Sequence, residues 1–186
     1  MSKDFYMACL DVAGRRCVVV GGGAVGVEKA AGLTACGAAV TVVSPTLHAS
    51  FAELGVDWVP RRYRDGDLDG AFLVIVATGD REVDEAVWRD AEALGKLCNV
   101  ADVPELCNFI LPAVHRQGPI AVAVSTGGAS PALAKRLRSE IAELVTPEHA
   151  RLAEELRAMR PEVKKRFETY EERREFFEGV VAARLA

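Results

Sequence analysis

The sequence lacks the residue groupings that mark a metal centre or a disulfide framework. Its five cysteines are scattered and form no CxxC pair, so buried free thiols are the favoured interpretation. The three histidines, His48, His115 and His149, are far apart and form no HxxxH or HExxH motif. We therefore expect no preformed transition-metal site.

The chain also has no long hydrophobic run and no excess of basic charge. No apolar segment approaches the ~18 residues of a membrane span, and residues 1–4 lead into no signal-like segment. The net charge of −4 gives no general attraction to nucleic acid or to an anionic membrane. We expect a cytoplasmic protein with no nucleic acid and no membrane among its partners.

A glycine-rich turn near the N-terminus is the strongest positive feature. An apolar segment runs into Gly21-x-Gly23-x-x-Gly26, and a helical pattern follows. In this context Gly21 allows a tight turn, Gly23 lets the backbone approach a pyrophosphate, and Gly26 lets the helix pack closely on the strand. The helix N-terminus, which Ala24 and Val25 open, would bind the pyrophosphate through unpaired N–H groups. The motif predicts a dinucleotide site; the alternative is a turn kept only for packing.

Strand-like and helix-like segments alternate from Arg16 to Pro112. The predicted strands are Arg16–Val20, Val40–Val43, Val56–Val59, Phe72–Ala77 and Leu97–Val100, with Phe109–Leu111 as a further candidate. The predicted helices are Ala24–Cys36, a short Thr46–Leu54, and Glu82–Leu94. Short, continuous apolar strands alternating with helices predict an α/β fold with a Rossmann-type doubly wound parallel sheet. We assign residues 1–112 to this domain.

The pattern changes after Pro112. A strand over residues 119–124 leads through a glycine-bearing loop into a predicted helix, Ala132–Leu144. Ser130 as N-cap and Pro131 at the first helical position are strong start signals for that helix. We assign residues 113–145 to a small segment of its own.

Residues 146–186 show only helical patterns, with apolar residues at spacings of three and four. Pro161 must start a new helix there or kink one. The segment after Thr146 carries nine basic and nine acidic side chains, which favours a solvated face over a polyanion-binding tail. We assign these residues to an α-helical C-terminal domain.

Four stretches together resemble the siroheme synthase N-terminal family. They are Val74–Asp80, Cys98–Pro104, Asn108–Ala113 and Ala123–Pro131. Members of this family are precorrin-2 dehydrogenases, and some are also sirohydrochlorin ferrochelatases. The resemblance covers nearly the whole chain and implies an NAD-binding Rossmann domain, a dimerisation segment and a helical C-terminal domain, in a homodimer that binds the tetrapyrrole in a cleft between these parts. Because the chain ends at Ala186, we expect precorrin-2 to come from a separate protein.

The resemblance implies NAD-dependent oxidation of precorrin-2 to sirohydrochlorin, with Asp102 as the catalytic residue. The family's essential aspartate falls on this position, just past the carboxyl end of a predicted core strand, where doubly wound sheets bind ligands. A carboxylate there can accept the proton that oxidation releases. The alternative is that Asp102 only caps the turn before Pro104.

The substrate-binding candidates are Asn99 and the loop residues Ser125, Thr126, Gly127 and Gly128. A loop that opens onto a helix N-terminus suits an anion, and the substrate class carries eight carboxylates. A plain strand-to-helix turn is the alternative. Thr126 stands where some relatives carry a serine, so any chemistry special to that hydroxyl is in doubt.

The sequence leaves the choice between NAD and NADP open. The second strand is followed by Ser44 and Pro45, with no acid for the ribose diol and no base for a 2′-phosphate. NAD is the expected cofactor, because the family uses it and because Ser44 can hydrogen-bond the ribose. Thr78, after the fourth strand, is a further cofactor-side candidate, although Gly79 and Asp84 depart from the family pattern.

Two other functions remain possible from the sequence. One is a metal chelatase without redox activity, which the intact glycine turn disfavours. The other is a non-catalytic dinucleotide-sensing module, which would have no reason to carry both the Asn99–Pro104 and Ser125–Pro131 motifs. If iron or cobalt insertion occurs, the ion would be delivered transiently and held by the macrocycle.

Overall fold

The computed structural model describes residues 5–185. The chain divides into two compact units, and the boundary in the sequence falls between Leu111 and Pro112. No helix among the described residues is long and apolar enough to cross a membrane.

The first unit is built on a five-stranded parallel sheet. Its strands are β1 (Arg16–Val20), β2 (Ala39–Val43), β3 (Asp57–Val59), β4 (Leu73–Val76) and β5 (Leu97–Val100). Its helices are α1 (Ala24–Thr34) and α2 (Arg81–Ala93), with short 3₁₀ helices at Ala49–Glu53 and Pro104–Leu106. The strand order is β3-β2-β1-β4-β5 and every pairing is parallel. The predicted doubly wound sheet is therefore confirmed.

Continuous apolar strands form this sheet because both of its faces are covered. Alternate residues of β1 enter two separate buried clusters, with Val18 and Val20 in one and Cys17 and Val19 in the other. Helix α2 contributes to the first cluster and α1 to the second. Each fully buried Val or Leu contributes about 1.5–3 kcal/mol relative to exposure, so the central strands hold the sheet together.

Two predicted elements of this unit differ from the structure. The helix expected over Thr46–Leu54 is only the 3₁₀ helix Ala49–Glu53. The strand expected at Phe109–Leu111 is wrong, because the chain pairs with β5 through isolated contacts instead of a ladder. Asn108 donates its N–H to the Cys98 carbonyl (3.1 Å), and its side-chain oxygen accepts the Cys98 N–H (2.8 Å).

An ion pair fixes the loop between β3 and β4. The Arg61 guanidinium donates two hydrogen bonds to the Asp67 carboxylate, at 2.6 and 2.7 Å. The Arg64 N–H also donates to it (2.9 Å). The Arg61 hydrogen bond, with help from Arg64, lowers the pKa of Asp67. Arg61 therefore has a structural partner in Asp67.

Asp67→Asn should lower the melting temperature at pH 7 by a few degrees, because it removes a charge-assisted bidentate pair. Since the folded-state pKa of Asp67 is depressed, its contribution is present above the unfolded pKa of about 3.9 and is lost as the pH falls through the folded value. The difference from wild type should therefore shrink below about pH 4. Asp65→Asn, an exposed neighbour, is the matched control. Equal melting temperatures for Asp67→Asn and Asp65→Asn at pH 7 would contradict this account.

The second unit combines a β-hairpin with three helices. Strands β6 (Ala113–Gln117) and β7 (Ile120–Val124) pair antiparallel, and helices α3 (Pro131–Leu144), α4 (Pro147–Arg166) and α5 (Tyr170–Arg184) follow. The sequence analysis missed β6. Its signal was the two-residue loop Gly118-Pro119, in which Gly118 has φ 55°, the left-handed conformation that hairpin turns require.

Helix α4 passes through Pro161 without ending, so of the two alternatives for Pro161 the start of a new helix is wrong. Pro161 and Arg157 are both exposed. Because the proline lacks an N–H, the Arg157 carbonyl loses its usual intrahelical partner, and water can reach it on this side of the helix. Ser130 is confirmed as the N-cap of α3, where its hydroxyl accepts the Leu133 N–H (3.2 Å).

Candidate functional site

The strands of the first unit end in register at one edge of the sheet. Val20, the last residue of β1, is paired with Val43 of β2 and with Val76 of β4, and Val76 is paired with Val100 of β5. The loops that follow therefore start along one line. The strand order reverses between β1 and β4, which is the topological switch point where doubly wound sheets bind ligands.

At three positions of this edge, close backbone contacts leave no room for a side chain and so require glycine. A Cβ at Gly21, which has φ 122°, would overlap the Ala77 carbonyl. A Cβ at Gly22 would overlap the Thr46 carbonyl, and one at Gly26 the Gly21 carbonyl. The glycine turn is thus packed directly against the β2 and β4 loops and against its own helix.

Gly23 differs from these three, because a Cβ there would meet nothing within 4 Å. It is the N-cap of α1, which has no side-chain cap and no acidic residue in its first turn. In contrast, α2 is capped by the Asp80 carboxylate. The first amides of α1, at Ala24, Val25 and Gly26, have no intrahelical acceptor. Open space in front of an uncapped helix N-terminus fits the pyrophosphate of a dinucleotide.

Ser44 and Pro45 follow β2 beside this turn. Ser44 is 8% exposed; its N–H donates to the Val59 carbonyl (3.2 Å) and its carbonyl accepts the Trp58 indole N–H (2.9 Å). A Cβ at Gly22 would lie 2.7 Å from the Ser44 hydroxyl, so this hydroxyl faces the glycine turn. Pro45 is exposed.

Thr78 follows β4 and is held by the start of α2. Its hydroxyl donates a short hydrogen bond to the Asp84 carboxylate, which is 4% exposed, and accepts the Asp80 N–H (3.0 Å). The residue that departs from the family pattern at position 84 therefore orients the candidate cofactor residue Thr78.

Asp102 follows β5 at the same edge. It has φ 61° and is the sole non-glycine residue with positive φ in the described part of the chain. Asp tolerates this left-handed conformation better than most residues. Its exposed side chain makes no hydrogen bond to any described residue, and the 3₁₀ helix that follows has Val103 as N-cap, with no side-chain cap. The capping alternative for Asp102 thus finds no support in the geometry.

Asn99 is 8% exposed and points toward the segment after the 3₁₀ helix. Its amide donates to the Phe109 carbonyl (3.0 Å) and lies 3.5 Å from the Cys107 sulfur. This side chain therefore has a structural role near Asp102, whatever further part it has in binding.

The loop Ser125–Gly128 belongs to the second unit. The Ser125 hydroxyl accepts the Gly127 N–H (3.2 Å). The Thr126 hydroxyl accepts the Ser130 N–H (3.0 Å) and donates to the Ser130 carbonyl (3.2 Å). Gly127 and Gly128 both have positive φ and open space around their Cα atoms. Thr126 thus stabilises the loop from within.

Sequence reasoning missed a basic groove between α4 and α5. Its volume is about 750 Å³, and its apolar lining includes Val163, Phe177 and Val181. Four cations line it, namely Arg160, Lys164, Arg173 and Arg174, together with Glu178. Arg174 pairs with Glu178 at 3.5 Å, whereas the other three cations form no ion pair with a described residue. The i,i+4 spacing of Arg160 and Lys164 was a usable signal, hidden because the charges of the segment balance overall.

The described residues contain no group of three or more His, Cys, Asp or Glu side chains that could hold a metal ion.

Three family models match consecutive parts of the chain. One described as "Putative NAD(P)-binding" matches residues 8–113, "Sirohaem biosynthesis protein central" matches residues 117–144, and "Sirohaem synthase dimerisation region" matches residues 148–186. The chain belongs to the siroheme synthase N-terminal family. The first matched region and the likeness to a precorrin-2 dehydrogenase support a nicotinamide dinucleotide as the cofactor.

Curated relatives and a solved structure agree with this family. Siroheme synthase of Methylobacillus flagellatus is 45% identical over 170 residues, and that of Azotobacter vinelandii is 41% identical over 190 residues. These matches cover 89% and 98% of this chain but only 36% and 41% of the relatives. The structure of SirC, a precorrin-2 dehydrogenase, is 27% identical with a TM-score of 0.81, and the match covers 98% of this chain and 93% of that one.

Gly23→Asp should abolish binding of the dinucleotide without unfolding the protein. Aspartate is a favourable N-cap, so the helix should be stabilised while the carboxylate repels the pyrophosphate. Gly23→Ala, which adds only a methyl group in open space, should raise the Kd at least about tenfold, as measured by calorimetric titration.

Gly32→Ala is the matched control, because Gly32 is an exposed glycine of α1 that also has nothing within 4 Å of a built Cβ. It should keep the wild-type Kd and stabilise the helix by about 0.5–1 kcal/mol. Normal affinity in Gly23→Asp would refute the cofactor assignment of the turn.

Proposed function

We propose that this chain oxidises precorrin-2 to sirohydrochlorin with NAD in siroheme biosynthesis. The observation that carries the proposal is the placement of Asp102 at the same sheet edge as the open glycine turn, with a carboxylate that makes no hydrogen bond to a described residue. The likeness to a precorrin-2 dehydrogenase over nearly the whole of both chains supports it. So do the siroheme synthases, of which this chain spans about two fifths.

The reaction removes a hydride and a proton from the macrocycle. NAD, when bound, supplies the hydride acceptor. Asp102 accepts the proton as general base; its side chain is exposed and has no hydrogen-bond partner among residues 5–185, which leaves both carboxylate oxygens available. The amides at the start of α1 hold the pyrophosphate, and the fixed hydroxyl of Thr78 lies on the cofactor side of the switch point.

NAD is preferred over NADP by the residues after β2. Ser44, Pro45 and Thr46 offer no cationic side chain for a 2′-phosphate, and burying that dianion without a partner would be costly. Ser44 is the candidate for the ribose, reached from its position beside Gly22. We infer that the ratio of Kd values favours NAD.

The substrate's carboxylates need cations, and the groove between α4 and α5 offers them. Arg160, Lys164 and Arg173 line the groove together with apolar side chains, which complements a macrocycle with an apolar body and anionic arms. The loop Ser125–Gly128, with open space at its two glycines, is a second place for these arms. Asn99, which lies in the first unit three residues before Asp102, is proposed as a further substrate-binding residue.

A homodimer is favoured by the small number of buried hydrophobic residues in the second unit. Only four hydrophobic residues of its described part are buried, namely Ala134, Ala150, Leu152 and Val163. Alternate residues of the hairpin strands are exposed, including Val114 and Ala123, which face each other across the pair. A core this small needs additional burial, and the match to a dimerisation region supports a second copy as the source.

The deciding experiment is an anaerobic absorbance assay with enzymatically generated precorrin-2 and NAD. NAD-dependent formation of sirohydrochlorin is the expected result. Ferrous or cobaltous ion is added afterwards as a substrate, because Asp102 is also placed to accept the protons that metal insertion releases. Binding of NAD without any NAD-dependent conversion would favour a dinucleotide sensor over the dehydrogenase.

Asp102→Asn should lower turnover by at least about 10²-fold, the usual scale of a lost general base, while the Kd for NAD stays unchanged. Asparagine tolerates the left-handed backbone, so folding should be preserved. Turnover at the wild-type rate would mean that Asp102 is not the base.

The double variant Lys164→Glu/Arg173→Glu should raise the KM for precorrin-2 about tenfold or more and make that KM less sensitive to salt, because it reverses two charges of the groove. NAD affinity should not change. Arg151→Glu reverses an exposed cation of α4 outside the groove and should keep the wild-type KM. Sedimentation velocity checks that both variants retain the wild-type oligomeric state. Equal effects of the two reversals on KM would contradict a role for the groove.

A further inference from the structure

The carboxylate of Asp102 depends on its backbone turn for its position. Its side chain makes no hydrogen bond within the described residues, so no neighbouring group orients it directly. The turn is closed by the Val103 N–H, which donates to the Val100 carbonyl at 3.3 Å, and is followed by a Leu106 N–H bond to the Val103 carbonyl at 3.0 Å. Further contacts to this turn come from a side chain outside it.

The thiol of Cys107 supplies those contacts. This residue is 4% exposed, and its sulfur lies 3.3 Å from the Val100 nitrogen, 3.3 Å from the Val100 oxygen and 3.3 Å from the Val103 oxygen. The Asn99 amide also donates to it at 3.5 Å. A thiol accepts hydrogen bonds and donates one, so a single side chain ties the end of β5 to the residue after Asp102.

We propose that Cys107 is a positioning residue that sets the carboxylate of Asp102 for proton transfer. The inference rests on the proposed function and adds to it a residue that does not touch the substrate. A displacement of about 1 Å at a reacting group can cost roughly 10²-fold in rate. Loss of the thiol contacts would let the turn relax, since the Asp102 side chain makes no hydrogen bond to a described residue that could hold its own left-handed backbone (φ 61°) in place.

Cys98 provides a matched control in the same strand and cluster. It is fully buried, and burial raises the pKa of its thiol to about 12, so the thiol stays protonated. Its sulfur makes no hydrogen bond to a described residue. Serine at Cys98 would bury a hydroxyl without a partner, whereas serine at Cys107 would keep a donor and acceptor among the same backbone groups. Serine should therefore be tolerated better than alanine at Cys107, and alanine better than serine at Cys98.

The test compares Cys107→Ala, Cys107→Ser, Cys98→Ala and Cys98→Ser by kcat, KM, NAD affinity and melting temperature. Cys107→Ala should lower kcat at least about tenfold with unchanged NAD affinity, and Cys107→Ser should restore most of it. At Cys98, Ala should be tolerated better than Ser, and kcat should follow only the loss of folded protein. Equal kcat in Cys107→Ala and wild type, or no recovery in Cys107→Ser, would overturn the proposal.

The background of Asp102→Asn separates positioning from general damage. There, Cys107→Ala should cause no further loss of turnover, because the group that it positions no longer acts as a base. If Cys107→Ala lowered turnover by the same factor in the wild-type and Asp102→Asn backgrounds, the positioning role alone would be overturned. Wild-type turnover in Asp102→Asn would overturn the proposed base and the positioning role together. Amide exchange at Val100 and Val103, which should be faster in Cys107→Ala than in Cys98→Ala, reports on the turn without any activity.

Discussion

The close approach of the glycine turn to its neighbouring loops is the constraint on which the first unit depends. Gly21 and Gly22 leave no room for a Cβ beside the carbonyls of Ala77 and Thr46, so the β1, β2 and β4 loops share one tightly packed edge. This packing keeps the N-terminus of α1 open in front of Gly23. It also holds the candidate cofactor residues in one framework, since β1, β2 and β4 pair in register and end in buried residues.

The parts of the fold that sequence could predict are those whose residues are buried on both sides. Strands β1 and β4 are continuous runs of apolar residues, and Gly21-x-Gly23-x-x-Gly26 joins strand to helix with local signals alone. Strand β6 was not predicted because its exposed and half-buried residues alternate and include His115 and Arg116. These polar residues interrupt the apolar pattern by which a strand is recognised. The apolar run at Phe109–Leu111 led to a wrong strand prediction, because composition does not reveal whether a partner strand exists.

The candidate site also has features that the sequence could predict and features that it could not. The position of Asp102 follows from its motif, but its left-handed backbone and the thiol beneath it depend on contacts between residues that are close only after folding. The groove on α4 and α5 was hidden because charge was counted along the segment, whereas the cations lie together on the facing sides of two helices. Balanced composition does not imply a balanced surface.

With Asp102 as the proposed base, its left-handed backbone also affects how the chemistry of such a chain can be lost. Aspartate, asparagine and glycine accept such a conformation readily, whereas other residues add a strain of about 1–2 kcal/mol. The substitutions that remove the carboxylate with least damage to the fold are therefore the ones that selection for stability cannot detect. A chain with asparagine at this position would keep the same shape and the same cofactor pocket, and a comparison of folds alone would not distinguish it from an active enzyme.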